Sequence, residues 1–183
     1  MEKINAVITG IGGYVPSYIL NNEELSRMVD TNDEWITTRV GIKERRILTE
    51  EGLGSGYLAR KAAKQLVRKT GVDVNTIDCV IVATTTPDYR FPSDASIVIG
   101  KLGMKNAHGF DVSCACCGFL YTVDMASAFI QSGRYKKVMV IAAEKMSSMV
   151  DYQDRQTCVL FGDGAAAVLM EASTEEGVGF QDS

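Results

Sequence analysis

The spacing of apolar residues along the chain predicts alternating strands and helices. Between residues 55 and 70, leucine and alanine recur every four positions, which predicts an amphipathic helix that Gly71 ends. Residues 79–84 are largely apolar, which predicts a strand buried on both faces of a sheet. The same reasoning predicts further strands at 4–10, 109–112, 137–143 and 165–171, and further helices at 93–102 and 116–132.

Turn-forming and polar residues separate these elements and define the predicted architecture. Three glycines at 10–13 predict a turn after the first strand, and the polar stretch at 30–47 is interpreted as irregular. Between them, asparagine and glutamate residues at 21–24 predict the start of a short helix. The order of elements is then βαβαβαββ, which favours an α/β fold with a mixed sheet and flanking helices. We expect residues 1–183 to form one domain.

Composition narrows the classes of function. The chain has 183 residues, of which 46% are hydrophobic and 23% charged, as is usual for a globular domain. Its formal net charge of −4 gives no reason to expect a nucleic acid partner. Because no apolar run could span a membrane and the N-terminus lacks a signal-peptide core, we expect a cytoplasmic protein without a membrane partner. The five cysteines lack the spacing of a disulfide framework, which favours a reducing compartment.

A cluster of cysteines lies where a predicted strand meets a predicted helix. Residues 110–119 read FDVSCACCGF and contain Cys114, Cys116 and Cys117. A thiol at a helix start lies at the positive end of the peptide dipoles, which favours the nucleophilic thiolate, and Cys116 is the candidate. The alternative is that these small residues only allow tight packing of the helix. A metal site is disfavoured because the other two cysteines lie within apolar runs and the single histidine stands alone.

Four sequence motifs resemble those of one enzyme family. They are DTNDEWITTRVGIKER at 30–45, FPS at 91–93, the cysteine motif at 110–119, and FGDGA at 161–165. In their order and spacing they are similar to the motifs of β-ketoacyl-acyl-carrier-protein synthase III. The resemblance extends along essentially the whole chain, which makes it more specific than any one motif.

The resemblance implies roles for individual residues. Cys116 falls on the family's nucleophile, which takes an acyl group from acyl-coenzyme A as a thioester. Trp35 falls on the residue that stacks against the adenine of coenzyme A, with Arg39 and Arg155 beside it. Thr31 falls on another coenzyme A contact. Coenzyme A enters as a thioester substrate, so no cofactor is expected.

The same resemblance implies partners. Phe91 matches a residue that reaches across a homodimer and helps to close the partner's acyl pocket. The strand containing residues 110–112 is expected to pair with its copy in that dimer. Malonyl-acyl-carrier protein is the expected second substrate. Cys114 and Cys117 gain no support as nucleophiles and are interpreted as packing residues.

The chain is about half as long as members of that family, whose fold repeats one α/β unit twice. The resemblance therefore implies a five-stranded N-terminal half of a thiolase-like fold. The histidine and asparagine that bind the malonyl thioester belong to the other half. Three explanations remain open: a piece of a longer synthase, one half of a split enzyme, or a genuinely short relative.

The implied function is acyl transfer at the start of fatty-acid synthesis. Cys116 is acylated from acyl-coenzyme A, and with the second half a decarboxylative condensation with malonyl-acyl-carrier protein gives 3-oxoacyl-acyl-carrier protein. One alternative is another thiolase-fold condensing enzyme, similar to hydroxymethylglutaryl-coenzyme A synthase or to a quinolone synthase. Another is a non-catalytic, half-length protein that binds acyl-coenzyme A or acyl-carrier protein.

Overall fold

The computed structural model describes residues 4–180, which form seven strands and five α-helices. The strands are β1 (Asn5–Tyr14), β2 (Tyr18–Asn21), β3 (Glu44–Ile47), β4 (Cys79–Ala83), β5 (His108–Val112), β6 (Lys137–Lys145) and β7 (Asp163–Ser173). The helices are α1 (Asn22–Leu25), α2 (Asp33–Val40), α3 (Ser55–Thr70), α4 (Asp94–Leu102) and α5 (Gly118–Gln131). None of the helices in this described part is long and apolar enough to cross a membrane.

Five of the strands form the mixed sheet that the sequence predicts, in the order β1-β7-β6-β4-β5. Strand β4 pairs in parallel with β5 and β6, whereas β7 is antiparallel to both β6 and β1. Helices α3 and α4 cover one face and α5 covers the other. In β4, Val80 and Val82 face the α3 side while Cys79 and Ile81 face α5, which confirms that this strand is buried on both faces.

The glycines near the N-terminus form part of a strand, and the predicted turn at 10–13 is wrong. Strand β1 continues through them to Tyr14 and stays paired with β7. A Cβ atom on Gly12 would lie 2.5 Å from the carbonyl oxygen of Ala62 and 2.5 Å from the amide nitrogen of Leu66, both in α3. The glycine is therefore needed because the helix packs directly on the backbone of the strand.

The stretch at 30–47 is ordered, so its interpretation as irregular is also wrong. It contains α2, which Asn32 caps by accepting a hydrogen bond from the Trp35 amide, and β3, which pairs with β2. The Arg45 side chain of β3 is buried and donates to the Val159 carbonyl and to Asn22 Oδ1. Residues 20–47, together with residues 158 and 159, have an apolar core of their own. It is formed by Leu20, Leu25, Ile36, Ile47, Cys158 and Val159.

Helix α5 is only half covered by the described residues. The predicted helix at 116–132 is confirmed as an element, although its regular part begins at Gly118. The inward face, with Ala126 and Ile130, packs on the sheet. The outward face is apolar and open, with Leu120 64% exposed and Tyr121 52% exposed. The described residues therefore leave the outer face of this helix uncovered.

Candidate active site

The candidate nucleophile lies at the edge of the sheet where the parallel strands end. After β5 the chain forms a short 3₁₀ turn, Ala115–Cys117, and then enters α5. The Thr84 amide, just beyond β4, donates to the Val112 carbonyl at 3.1 Å. A Cβ atom on Gly118 would lie 3.0 Å from the Ala83 side chain, so α5 begins in close contact with β4. The predicted strand–turn–helix junction is thereby confirmed.

The five cysteines differ in how far they are exposed to solvent. Cys79 and Cys158 are buried, and burial raises the pKa of Cys79 to about 11 and also raises the pKa of Cys158. Cys116 and Cys117 are both exposed, and Cys114 is half-buried. The interpretation of Cys117 as a packing residue is therefore wrong, and solvent access alone does not distinguish Cys116 from Cys117.

The backbone of the turn is strained and its amides are not equivalent. Ala115 has φ of 46°, in the left-handed region that is costly for residues other than glycine. The Cys117 amide donates to the Cys114 carbonyl at 3.2 Å, and the Gly118 amide donates to the Ala115 carbonyl. These two amides are already used within the turn. Of the three consecutive amides of Cys116, Cys117 and Gly118, only that of Cys116 donates to no carbonyl of the described residues.

A second cluster forms around the only tryptophan. Trp35 lies half-buried on α2, with the guanidinium carbon of Arg39 4.3 Å from its ring centroid. The corresponding carbon of Arg155 lies 4.9 Å from the same ring, and its Nη1 donates to the Asp30 carbonyl at 3.1 Å. Residues far apart in sequence thus place two cationic groups and one indole together, an arrangement suited to a planar, negatively charged ligand.

Two other predicted site residues occupy contrasting environments. The hydroxyl oxygen of Thr31 is buried and has no hydrogen-bond partner among the described residues. Phe91 lies in the loop between β4 and α4 and is 89% exposed. An aromatic side chain this exposed does not pack against the described residues around it.

The sequence interpretation missed two carboxylates that organise the same edge of the sheet. Glu144, near the end of β6, accepts from the Thr85 amide at 2.7 Å and from the Thr86 hydroxyl at 2.6 Å. Asp111, on β5, accepts from the first two amides of α4. The sequence contained a usable signal, because each is an acidic residue next to apolar positions in a strand of the central sheet, and a carboxylate there requires partners.

Asp94, the first residue of α4, is fully buried beside these carboxylates. Its Oδ1 accepts from the Asp88 amide at 3.2 Å, whereas its Oδ2 has no partner. Burial, reinforced by the charge of Asp88 and to a lesser degree by Asp111 and Glu144, raises the pKa of Asp94 to about 7. The carboxyl group therefore holds a proton through most of the acidic range.

This proton links stability to pH. The unfolded chain releases it near pH 4, so between about pH 4 and 7 the folded state binds more protons than the unfolded state. The free energy of unfolding should therefore fall as pH rises through this range. We expect Asp94→Asn to abolish that fall, so that the variant gains stability relative to the original chain as pH increases. Urea unfolding at several pH values measures it, and identical slopes for both proteins would contradict the assignment.

Comparison with known proteins shows which proteins this chain is similar to. A family model described as 3-oxoacyl-[acyl-carrier-protein (ACP)] synthase III matches residues 110–183. Over all 183 residues the chain is 68% identical to β-ketoacyl-[acyl-carrier-protein] synthase III 2 of Bacteroides thetaiotaomicron, and it covers 54% of that protein. It is 53% identical over 183 residues to β-ketoacyl-[acyl-carrier-protein] synthase III of Porphyromonas gingivalis W83, again covering 54%. The chain thus spans about half the length of the curated relatives it matches.

Solved structures of synthase III proteins have the same fold as this chain. The crystal structure of 3-oxoacyl-[acyl-carrier-protein] synthase III from Aquifex aeolicus is similar over 93% of this chain and 55% of that chain, with a TM-score of 0.90 and 50% identity. The synthase III structure from Thermus thermophilus matches 95% of this chain and 53% of that chain, with a TM-score of 0.90 and 40% identity. The expected thiolase-like fold is therefore confirmed. By sequence and by fold, the chain is similar to the N-terminal half of β-ketoacyl-acyl-carrier-protein synthase III proteins.

Proposed function

We propose that this chain carries the acyl-transfer site of a synthase that begins fatty-acid synthesis. The Cys116 thiolate attacks the carbonyl carbon of an acyl-coenzyme A thioester, a new carbon–sulfur bond forms, and coenzyme A leaves as a thiolate that takes up a proton. The observation that carries the proposal is the exposed Cys116 in a tight turn before α5, at the carboxyl end of the parallel strands. A thiol there is open to a large substrate.

The backbone amide of Cys116 supplies the proposed stabilisation of the intermediate. Attack on the thioester places negative charge on the former carbonyl oxygen, and an unengaged N–H group close to that oxygen lowers the barrier. The amides of Cys117 and Gly118 donate within the turn, so they are unsuited to this role. Among the three amides at the helix start, the proposed role therefore falls on that of Cys116.

Trp35, Arg39 and Arg155 form the proposed contact with the nucleotide part of coenzyme A. An indole ring suits the adenine, and guanidinium groups suit phosphates through charge-assisted hydrogen bonds. The proximity of both arginines to one ring supports this assignment. The buried hydroxyl of Thr31, which lacks a partner, is proposed as a further contact. Coenzyme A is a substrate in this scheme, so no separate cofactor is required.

The second step of the proposed reaction needs residues beyond this half. The names of the relatives contain the acyl-carrier protein, and we propose malonyl-acyl-carrier protein as the acceptor that yields the 3-oxoacyl product. In this proposal residues 1–183 act as the N-terminal thiolase-like domain. A homodimer is proposed through β5, which is an edge strand of the sheet, with the exposed Phe91 reaching the partner subunit.

Acylation can be tested on the chain itself. The protein is incubated with acetyl-coenzyme A and with branched acyl-coenzyme A primers, and the intact mass is recorded before and after treatment with hydroxylamine, which cleaves thioesters. We expect a gain of one acyl group, removed by hydroxylamine and located on the peptide that contains Cys116. Binding of acyl-coenzyme A without any mass gain would instead support the non-catalytic alternative.

Trp35 should contribute to substrate binding more than to chemistry. Stacking of a base on an aromatic side chain contributes about 1–3 kcal/mol, so Trp35→Ala should raise the KM for acyl-coenzyme A about tenfold or more. The rate of acylation at saturation should change little, because Trp35 is proposed to contact the nucleotide and not the thioester. Trp35→Phe, which keeps a flat ring, is the matched control and should recover most of the affinity. A lower saturating rate with an unchanged KM would contradict the assignment.

A further inference from the structure

Asp111 connects the strand that leads to Cys116 with the start of α4. Its Oδ2 accepts from the Asp94 amide at 2.8 Å, and its Oδ1 accepts from the Ala95 amide at 2.9 Å. Both oxygens of one carboxylate are therefore committed to one helix end, where the negative charge is also favoured by the peptide dipoles. A Cβ atom on Gly109 would lie 3.0 Å from Ala95, so the strand and the helix are in close contact along this line.

The conformation of the turn at 115–117, which follows Asp111, depends on contacts with neighbouring segments. Ala115 has φ of 46°, in the left-handed region, and a residue other than glycine keeps such a conformation only where the surrounding structure fixes it. Downstream, the Thr122 hydroxyl donates to the Gly118 carbonyl at 2.8 Å, and Gly118 is close to Ala83. Upstream, the end of β5 is held by its parallel pairing with β4, by the Thr84 amide, which donates to the Val112 carbonyl, and by the bonds of Asp111 to α4.

We propose that Asp111 is a positioning residue for Cys116. By fixing the end of β5 against α4, its carboxylate keeps the turn in the strained conformation that holds Cys116 exposed at the start of α5. Without both hydrogen bonds, Ala115 relaxes out of the left-handed region and the Cys116 thiol and amide move away from their reactive arrangement. The inference rests on the proposed function only in taking Cys116 as the reacting group.

The reactivity of each cysteine toward iodoacetamide tests this without any acyl substrate. Asp111→Asn keeps the size of the side chain but replaces one acceptor oxygen with a donor that faces an amide of α4. We expect the alkylation rate of Cys116, read by peptide mass spectrometry, to fall about tenfold. Cys79 and Cys158 are buried, so their continued lack of labelling shows that the variant remains folded. If Asp111→Asn exposes Cys79 and Cys158 to labelling, the alkylation rate of Cys116 is read instead from Asp111→Glu, which is measured in parallel.

A matched control separates positioning from a general weakening of α4. Ser93 caps the same helix by accepting from the Ser96 amide at 3.2 Å, but it has no hydrogen bond to β5. Ser93→Ala should therefore leave the alkylation rate of Cys116 unchanged. The proposal is overturned if Ser93→Ala slows Cys116 as much as Asp111→Asn does. It is also overturned if Asp111→Asn reacts at the original rate.

A second substitution provides a rescue that a purely structural role would not show. Glycine adopts positive φ without the penalty that alanine incurs, so Ala115→Gly lowers the strain that Asp111 is proposed to offset. Adding Ala115→Gly to Asp111→Asn should restore most of the Cys116 alkylation rate. Failure of the rescue overturns the proposed link between the two residues. A result in which alkylation follows these expectations while acyl-coenzyme A gives no acyl-enzyme would refute the proposed function and leave the positioning role intact.

Discussion

Replacement of Cys116 by serine should abolish formation of the acyl-enzyme. A serine hydroxyl is a much weaker nucleophile than a cysteine sulfur unless an adjacent base activates it, and no base among the described residues forms a hydrogen bond at this position. We expect acyl transfer from acetyl-coenzyme A to fall by at least about a thousandfold, to the limit of detection by intact mass. Binding of coenzyme A should persist, because its proposed contacts lie on α2 and at Arg155.

The neighbouring thiols are the controls for that result. Cys117 is as open to solvent as Cys116, so Cys117→Ser is the most informative comparison, and Cys114→Ser is the second. Both variants should still gain one acyl group. The amide of Cys117 is already bonded within the turn, which leaves an oxyanion beside that residue without its own N–H donor. Loss of acylation in Cys117→Ser alone would transfer the role of nucleophile to Cys117.

The sequence was sufficient for the central sheet because its strands have simple patterns. Strand β4 is buried on both faces and therefore apolar at every position, and α3 has a regular four-residue repeat. The strand–turn–helix junction at Cys116 follows from two such patterns that meet. The conformation of Ala115 could not be predicted, since alanine rarely adopts positive φ and only the surrounding contacts impose it.

Regions in which polar residues face inward could not be predicted in the same way. Strand β3 reads Glu-Arg-Arg-Ile, and its buried Arg45 has the appearance of a solvated charge in sequence. Helix α2 buries only Ile36, so it has no visible apolar repeat. Its capping residues, Asn32 and Gly41, were the available signal. The contact between Trp35 and Arg155 depends on tertiary structure, and only the resemblance to a family pointed to it.

The FGDGA motif at 161–165 was informative about the family, and the structure gives it a physical role. Asp163 begins β7 and is buried. Its Oδ2 accepts from the Leu48 amide at 2.8 Å and from the Ser147 hydroxyl at 2.6 Å, and its Oδ1 accepts from the Ser147 amide at 2.9 Å. One carboxylate therefore joins three segments: the start of β7, the chain after β3, and the 3₁₀ turn after β6.

Asp163→Ala should cause the largest loss of stability among the substitutions considered. It removes a charged acceptor and leaves the buried Leu48 amide and the half-buried Ser147 amide without this partner, at about 1–3 kcal/mol for each unsatisfied group. We expect the free energy of unfolding to fall by about 3–5 kcal/mol, measured by urea denaturation. Asp163→Asn should be less severe, because an amide oxygen in the position of Oδ2 still accepts two of the three hydrogen bonds.

Asp154 is the matched control for this effect. It also accepts hydrogen bonds, from the Gln156 amide at 2.9 Å and the Thr157 hydroxyl at 2.8 Å, but within a local turn that water reaches. Water replaces the lost carboxylate there, so Asp154→Ala should cost less than about 1 kcal/mol. Similar losses for the two alanine variants would show that burial of the Asp163 hydrogen bonds does not matter. A clear difference would show that Asp163 stabilises the fold by satisfying buried amides.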